Sequence, residues 1–418
     1  MTRTACIIAL LFGSLACRAG AQQQPSGAWP GKMSNEERAK LRPLYDEFLQ
    51  AMRAHDDKRL AATREEIVRR MGKYAGVSEF APDYGKPVDP SPPDLAKVET
   101  LWRQSFKRMQ GRNGWERAPQ AKAQGRPQPR LRVSFRGARA YLHSYEAGLE
   151  GRDEFMKAAR QGFDYIASQQ AGTGAFGYPY FPNATEGLVA AAARVVKQGE
   201  ARGLKMTEGD LDAARRAAEW AIKRPLVANF DYNGFSGVLL ARLYRVTGEK
   251  RYLDEAAVKF KFGVLPGQMA NGRWFDQHNA AIQYHAIMMS QLMELYLALQ
   301  KAKDPYAAEV KRRIALGLDR LAEEITTHGA TRYTAQEMLC LDALVRGLLL
   351  FGANEKWERA AHVDVNYLCN QFLLELEKRG EPMTETIAHY LLYRRVKTSE
   401  AAACEIEIEK CLAARKKR

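Results

Sequence analysis

Two of the chain's seven His residues fall in one short stretch, "GRWFDQHNAAIQYHA", residues 272–286. His278 stands beside Asn279, which puts a candidate base next to an amide able to bind a carboxylate. His285 follows seven residues later. That spacing predicts a shared helical face, with the helix starting near Asp276 or Gln277. His278 would then sit at the loop end and His285 two turns deeper, bonded in the core. A helical zinc pair needs i,i+4 spacing, so no metal site is expected. Arg273 offers a bidentate cation for a carboxylate, and Trp274 a flat apolar platform.

Similar groups recur in other irregular stretches. "RPLVANFDYNGFSG" carries Asn229, Tyr232 and Asn233, and Asn233 fits either a helix cap or a carboxylate binder. "FGYPYFP" supplies Tyr178 and Tyr180, and "THGATRYTAQ" supplies His328, Arg332 and Tyr333. Acids are present too: Asp231, Asp276, Glu186 and Glu337. A facing pair of them would serve glycoside hydrolysis, although Asp276 and Glu186 also fit as first-turn acids of helices. Asn, His, Tyr and Arg dominate these stretches, and carboxylates do not.

The elements that hold these stretches are helical hairpins. From residue 138 onward a helix, a short polar turn and a second helix recur, starting near 140, 188, 237, 291, 343 and 387. A step of roughly 50 residues is the size of a helix-pair repeat. Turns inside hairpins are short, such as "VTGEKRY" and "GANEK". Those between hairpins are long, such as "QQAGTGAFGYPYFPNATEG" and "VLPGQMANGRWFDQHN". One end of the stack is therefore trimmed and the other elaborated, and elaborated loops on a rigid scaffold are where sites occur. The expected fold is all-α: an (α/α)6 toroid, or incomplete barrel of helical hairpins, over 138–418, with an N-terminal helical extension. Within that extension, residues 34–75 read as two charged helices opening on a Ser34 cap. A five-proline arm or linker follows at 81–94, then another helix at 95–110. Residues 22–110 thus form the extension, and 111–137 form an irregular, strongly basic segment.

Residues 1–21 have the three-part pattern of a cleaved signal peptide, with the cut after Ala21, so a periplasmic or secreted chain is expected. No later run is long and apolar enough to span a bilayer. Of six Cys, the mature chain keeps Cys340, Cys369, Cys404 and Cys411. Export makes one or two disulfides plausible. The net charge is +15, or +13 once Arg3 and Arg18 leave with a segment that holds no acid. For an exported basic chain the expected partner is an anionic polysaccharide and not nucleic acid. No integral membrane association is expected, and a monomer is.

"YNGFSGVLLARLYRVTGEKRYLDEA" (232–256) and "YIASQQAGTGAFGYPYFP" (165–182) resemble phrases of the six-hairpin toroidal carbohydrate-active enzymes. In character the chain is closest to uronate polysaccharide lyases of the alginate and glucuronan type. The resemblance implies β-elimination without an organic cofactor, although a calcium ion is compatible with it. Asn233 or an Arg would neutralise the substrate carboxylate. His278 would take the C5 proton, and Tyr180 or Tyr333 would protonate the leaving oxygen. Asn279, Arg273, Trp274, Arg332, Tyr178, Tyr232, His328 and Asn229 would bind the sugar chain. The chemistry needs both a donor on the carboxylate and a base at the carbon, because the C5 proton is too weakly acidic until the adjacent charge is cancelled. Two alternatives stand beside this: a six-hairpin glycoside hydrolase using Asp/Glu pairs, and a non-catalytic glycan-binding toroid.

Overall fold

The structure, a computed structural model, describes residues 29–80, 89–110, 170, 172–174, 208–329, 337–379, 387, 390, 391, 393 and 394. Residues 1–21, the basic 111–137 stretch, Cys404, Cys411 and most of the first two expected hairpins lie outside them.

Ten helices account for most of the described residues. The extension contributes α1 (Asn35–Ala54), α2 (Asp57–Met71) and α3 (Leu95–Gln110). The repeat region contributes α4 (Glu208–Lys223), α5 (Phe230–Thr247), α6 (Lys250–Gly263), α7 (Ile282–Ala302), α8 (Tyr306–His328), α9 (Glu337–Phe351) and α10 (Glu355–Arg379). An antiparallel bridge joins Gln268 and Trp274, and no extended strand is formed among the described residues. The short polar turns end helices as their composition dictates. Gly248 and Gly352 take left-handed conformations after α5 and α9, and Lys303 does so after α7.

Helices α5–α6, α7–α8 and α9–α10 are three successive hairpins. Their first members, α5, α7 and α9, pack side by side, while α6, α8 and α10 lie outside them and α8 touches α10. This alternation of inner and outer helices is that of an (α/α) toroid. It follows from the sequence, because α5 and α7 are apolar on nearly every side whereas α6 and α8 are amphipathic. One buried ionic knot ties the inner layer. Glu294 on α7 pairs with Arg242 and Arg245 on α5 and with Arg346 on α9, and these contacts hold Glu294 ionised against its burial.

The extension shares the core of the hairpins. Ser34 caps α1 in a reciprocal box with Glu37, and Asp56 caps α2. Phe48 of α1 inserts edge-on between Phe230 and Phe275, at ring distances of 6.2 and 5.6 Å. Farther on, the proline-rich arm lies along α10, where Asn366 donates to the carbonyls of Asp89 and Ser91 at 3.0 and 2.9 Å. Residues 89–94 are thus a wrapping arm that leads into α3, which packs on α10.

Candidate active site

The turn between α6 and α7 is built before any functional group is placed on it. A 3-10 turn at Leu265–Gly267 leads into the Gln268–Trp274 bridge. Gly272 sits at the tip with φ 85°, so close to α8 that a Cβ would lie 2.5 Å from the Leu316 carbonyl. Residues 276–281 are turns, and α7 begins only at Ile282 because Ala281 is extended. The expected helix start near Asp276 is therefore six residues early. The Asp276 carboxylate instead accepts from Asn279 N and Nδ2 at 2.9 and 3.0 Å, closing a local turn. His278 is held on that turn, off the helix that carries His285.

The extension closes over this turn. Gly76 N donates to the Phe275 carbonyl at 2.9 Å, and Glu79 N to the Gln277 carbonyl at 3.0 Å. The Gln277 side chain accepts from Met33 N at 2.8 Å and donates to the Gly31 carbonyl at 3.1 Å. Between α1 and the turn is a cleft of about 520 Å³, lined in part by Arg38, Arg42, Tyr45, Glu79, Asp276 and His278.

Glu79 Oε1 lies 2.8 Å from His278 Nδ1. Burial alone would push the Glu79 carboxyl up, but hydrogen bonds from Lys32, His278 and Arg38 outweigh it and hold it at about 2. Glu79 is therefore an ionised acceptor and Nδ1–H the donor, so in the neutral ring the lone pair is on Nε2. The His278 side chain is 38% exposed, and its ring stacks on Tyr284 with centroids 4.2 Å apart. Tyr45 also lines the cleft, and burial raises its pKa, so the phenol stays protonated. Arg42 is exposed at the cleft and makes no ion pair among the described residues.

The other expected site residues have other employment. Asn233 is neither the cap of α5 nor open to ligand: it accepts from Val227 N at 3.0 Å and donates to the carbonyls of Val227 and Gly263, both at 2.8 Å. Trp274 has no exposed surface and packs on Phe230, so it offers no platform. Arg273 is buried, pairs with Glu324 and donates to the Gly76 carbonyl at 3.0 Å. Asn279 is buried on Asp276, with its own Oδ1 unpartnered. Asn229 occupies the cap position of α5 without a capping bond. Tyr232 is half-buried near it, and His328 is exposed at the end of α8. Tyr178, Tyr180, Arg332, Tyr333 and Glu186 lie outside the described residues. His285 bonds the Gly317 carbonyl at 2.8 Å, and burial lowers its pKa to about 4. Cys340 and Cys369 are buried thiols and not disulfide partners.

A second titratable group lies behind the cleft. Burial pushes Asp231 up to about 6, with a pull downward from His278 and a further push from Asp276. Burial also raises Asp276, against the hydrogen bonds from Asn279. Asp231 is 3% exposed and does not line the cleft. Among the described residues no cluster of three or more His, Cys, Asp or Glu side chains is placed to hold a metal ion.

Glu79, Arg38, Arg42 and Tyr45 carried no signal in the sequence. They belong to the extension, which reads there as two charged helices and an arm. The reciprocal Ser34–Glu37 cap marks where α1 starts but not what it covers.

No family model and no curated relative matches the chain. Among solved structures, an unsaturated glucuronyl hydrolase from Streptococcus agalactiae is similar at 11% identity, with a TM-score of 0.43 over 75% of this chain and 96% of that one. A family 88 glycosyl hydrolase from Bacteroides vulgatus is similar at 14% identity, with a TM-score of 0.49 over 75% of this chain and 99% of that one.

Proposed function

We propose that the chain is an exported polysaccharide lyase that cleaves an anionic, uronic-acid-containing polymer by β-elimination. The observation that carries this reading is the Glu79–His278 pair opening on a cleft with a guanidinium at hand. Arg42 binds the uronate carboxylate and makes the C5 proton acidic. His278 Nε2 takes that proton, and Glu79 stabilises the imidazolium that forms. The C5–H electrons become the C4–C5 double bond, and the C4–O bond breaks. Tyr45 donates its proton to the departing oxygen. Arg38 is bound to Glu79, which leaves Arg42 as the free cation of the pair.

The carboxylates of the cleft favour this chemistry over hydrolysis. A hydrolase needs one carboxyl as acid and another as base or nucleophile across the same bond. Glu79, held at about 2 by three partners, is a poor proton donor and a poor base. Asp231 is shut away from the cleft, and Asp276, the other carboxylate lining it, is turned to Asn279 N and Nδ2. The hydrolytic reading keeps one observation in its favour, that burial raises both Asp231 and Asp276, with Asp276 pushing Asp231 further up.

The test is to incubate the mature chain with alginate, glucuronan, pectate and heparinoids and follow the ultraviolet absorbance of an unsaturated uronide. Its growth, lost in His278→Ala, is the expected result. Reducing ends without that absorbance, lost in Asp231→Asn, would establish hydrolysis instead. Binding with neither product would leave a glycan-binding module.

A further inference from the structure

Trp29 and Phe80 are the large hydrophobic side chains left exposed among the described residues, at 40% and 36%. A single exposed aromatic needs no explanation. These two are held at one point. Trp29 Nε1 donates to the Ser78 carbonyl at 3.0 Å, and Phe80 N donates to Ser78 Oγ at 3.0 Å. The residue between Ser78 and Phe80 is Glu79, which holds His278, and the Phe80 ring lies 6.3 Å from the imidazole. Both aromatics therefore flank the mouth of the cleft, although neither lines it.

Their setting fits one class of ligand. The indole N–H is already satisfied by backbone, so what Trp29 presents to solvent is apolar ring. Lys32, just before α1, and Arg38, on α1, both pair with Glu79 at 2.8 and 3.3 Å, and Arg42 follows one turn after Arg38. A pyranose has an apolar C–H face that covers an aromatic ring, and a uronate adds a carboxylate for a neighbouring cation. A neutral apolar partner would leave Arg42 at the cleft unused, and a purely ionic partner would leave the rings unused.

We infer that Trp29 and Phe80 form a sugar-stacking subsite at the cleft mouth, which holds a uronate residue next to the one presented to His278. The inference rests on the proposed lyase reading for its ligand class. The platform expected at Trp274 is thereby moved to the extension, some 240 residues earlier in the chain.

The experiment titrates the mature full-length chain with alginate- and glucuronan-derived oligosaccharides, following tryptophan fluorescence, and uses an uncharged dextran oligosaccharide as control. The parent protein is expected to respond to the uronates and not to dextran. Trp29→Ala should lose that response and bind roughly tenfold more weakly, the usual scale for one stacked ring. On a cleaved substrate, Trp29→Ala and Phe80→Ala should raise KM by about the same factor with kcat little changed, and Trp29→Phe should restore most of it. Unchanged Kd and KM in both alanine variants would overturn the subsite while leaving the elimination intact. Weakened binding in Trp29→Ala with no unsaturated product from any polymer would keep the subsite and remove the lyase. Equal binding of dextran would overturn the uronate assignment.

Discussion

Glu79 and His278 stand 199 positions apart in the chain, and their side chains meet at 2.8 Å. If Glu79 orients the base, Glu79→Gln should lower kcat by at least about tenfold and leave KM nearly unchanged, because the amide can hold the ring in the wrong tautomer. His278→Ala should cost about 10²–10⁴-fold. Glu79→Asp should recover part of the loss, which a merely structural role in the segment after α2 would not require. Steady-state kinetics on the three variants, with melting curves to confirm folding, checks this. Equal rates for Glu79→Gln and the parent would remove the dyad from the mechanism.

Phe48 should tie site to fold. It is buried edge-on between Phe230 and Phe275, the one at the start of α5 and the other in the cleft turn. Phe48→Ala should destabilise by about 3–5 kcal/mol, the range for a buried aromatic truncated in a core that relaxes only partly. It should also release α1, so limited proteolysis near residues 55–56 should accelerate and activity fall together with the melting temperature. A stable variant with α1 still protected from proteolysis would show that the extension is held elsewhere.

Asn233 should separate structure from catalysis. Its amide makes three hydrogen bonds that pin the 227 loop to the end of α6. Asn233→Ala strands buried backbone groups, each worth about 1–3 kcal/mol when unsatisfied. The expected result is a lower melting temperature with kcat per folded molecule retained. A folded but inactive variant would return Asn233 to the catalytic role that its sequence position allows.

These contrasts show what the sequence carries. The hairpins are legible because local chemistry writes them: "VTGEK" and "GANEK" place a left-handed glycine after an apolar helix, and the apolar pattern separates all-round burial in α5 and α7 from one-sided burial in α6 and α8. His278 is legible as a polar group on an elaborated loop. What surrounds it is not, because each side chain's availability depends on distant partners. Trp274 reads as a platform until Phe230 covers it, Arg273 reads as a substrate clamp until Glu324 takes it, and Asn233 reads as a ligand until Gly263 arrives. Glu79 gives no signal at all, since no spacing rule links a residue beside a proline-rich arm to a histidine 199 positions on.

The ionic knot at Glu294 should be a large stability determinant. Removing the carboxylate leaves Arg242, Arg245 and Arg346 facing one another between inner helices. Glu294→Gln should destabilise by about 3–5 kcal/mol, the cost of stranding buried charge. Denaturant unfolding should show a lower midpoint with an unchanged slope. A change under about 1 kcal/mol would mean that water reaches the guanidiniums.

His285 gives the fold a dependence on pH of known sign. Its folded pKa is lowered from 6.5 to about 4 by burial, so the folded state resists protonation that the unfolded chain accepts. The stability it contributes is complete above 6.5 and is lost as pH falls through 4. At 1.36 kcal/mol per pH unit the whole effect is about 3 kcal/mol. Asp231 acts in the opposite sense: its pKa is raised from 3.8 to about 6, so its contribution is complete below 3.8 and is lost as pH rises through 6. Between pH 4 and 6 the two largely cancel. Asp231→Asn should therefore expose the histidine, turning a shallow profile of melting temperature against pH into one that falls steeply from pH 6 to 4. If that variant keeps the shallow profile of the parent, His285 is not the group that resists acid.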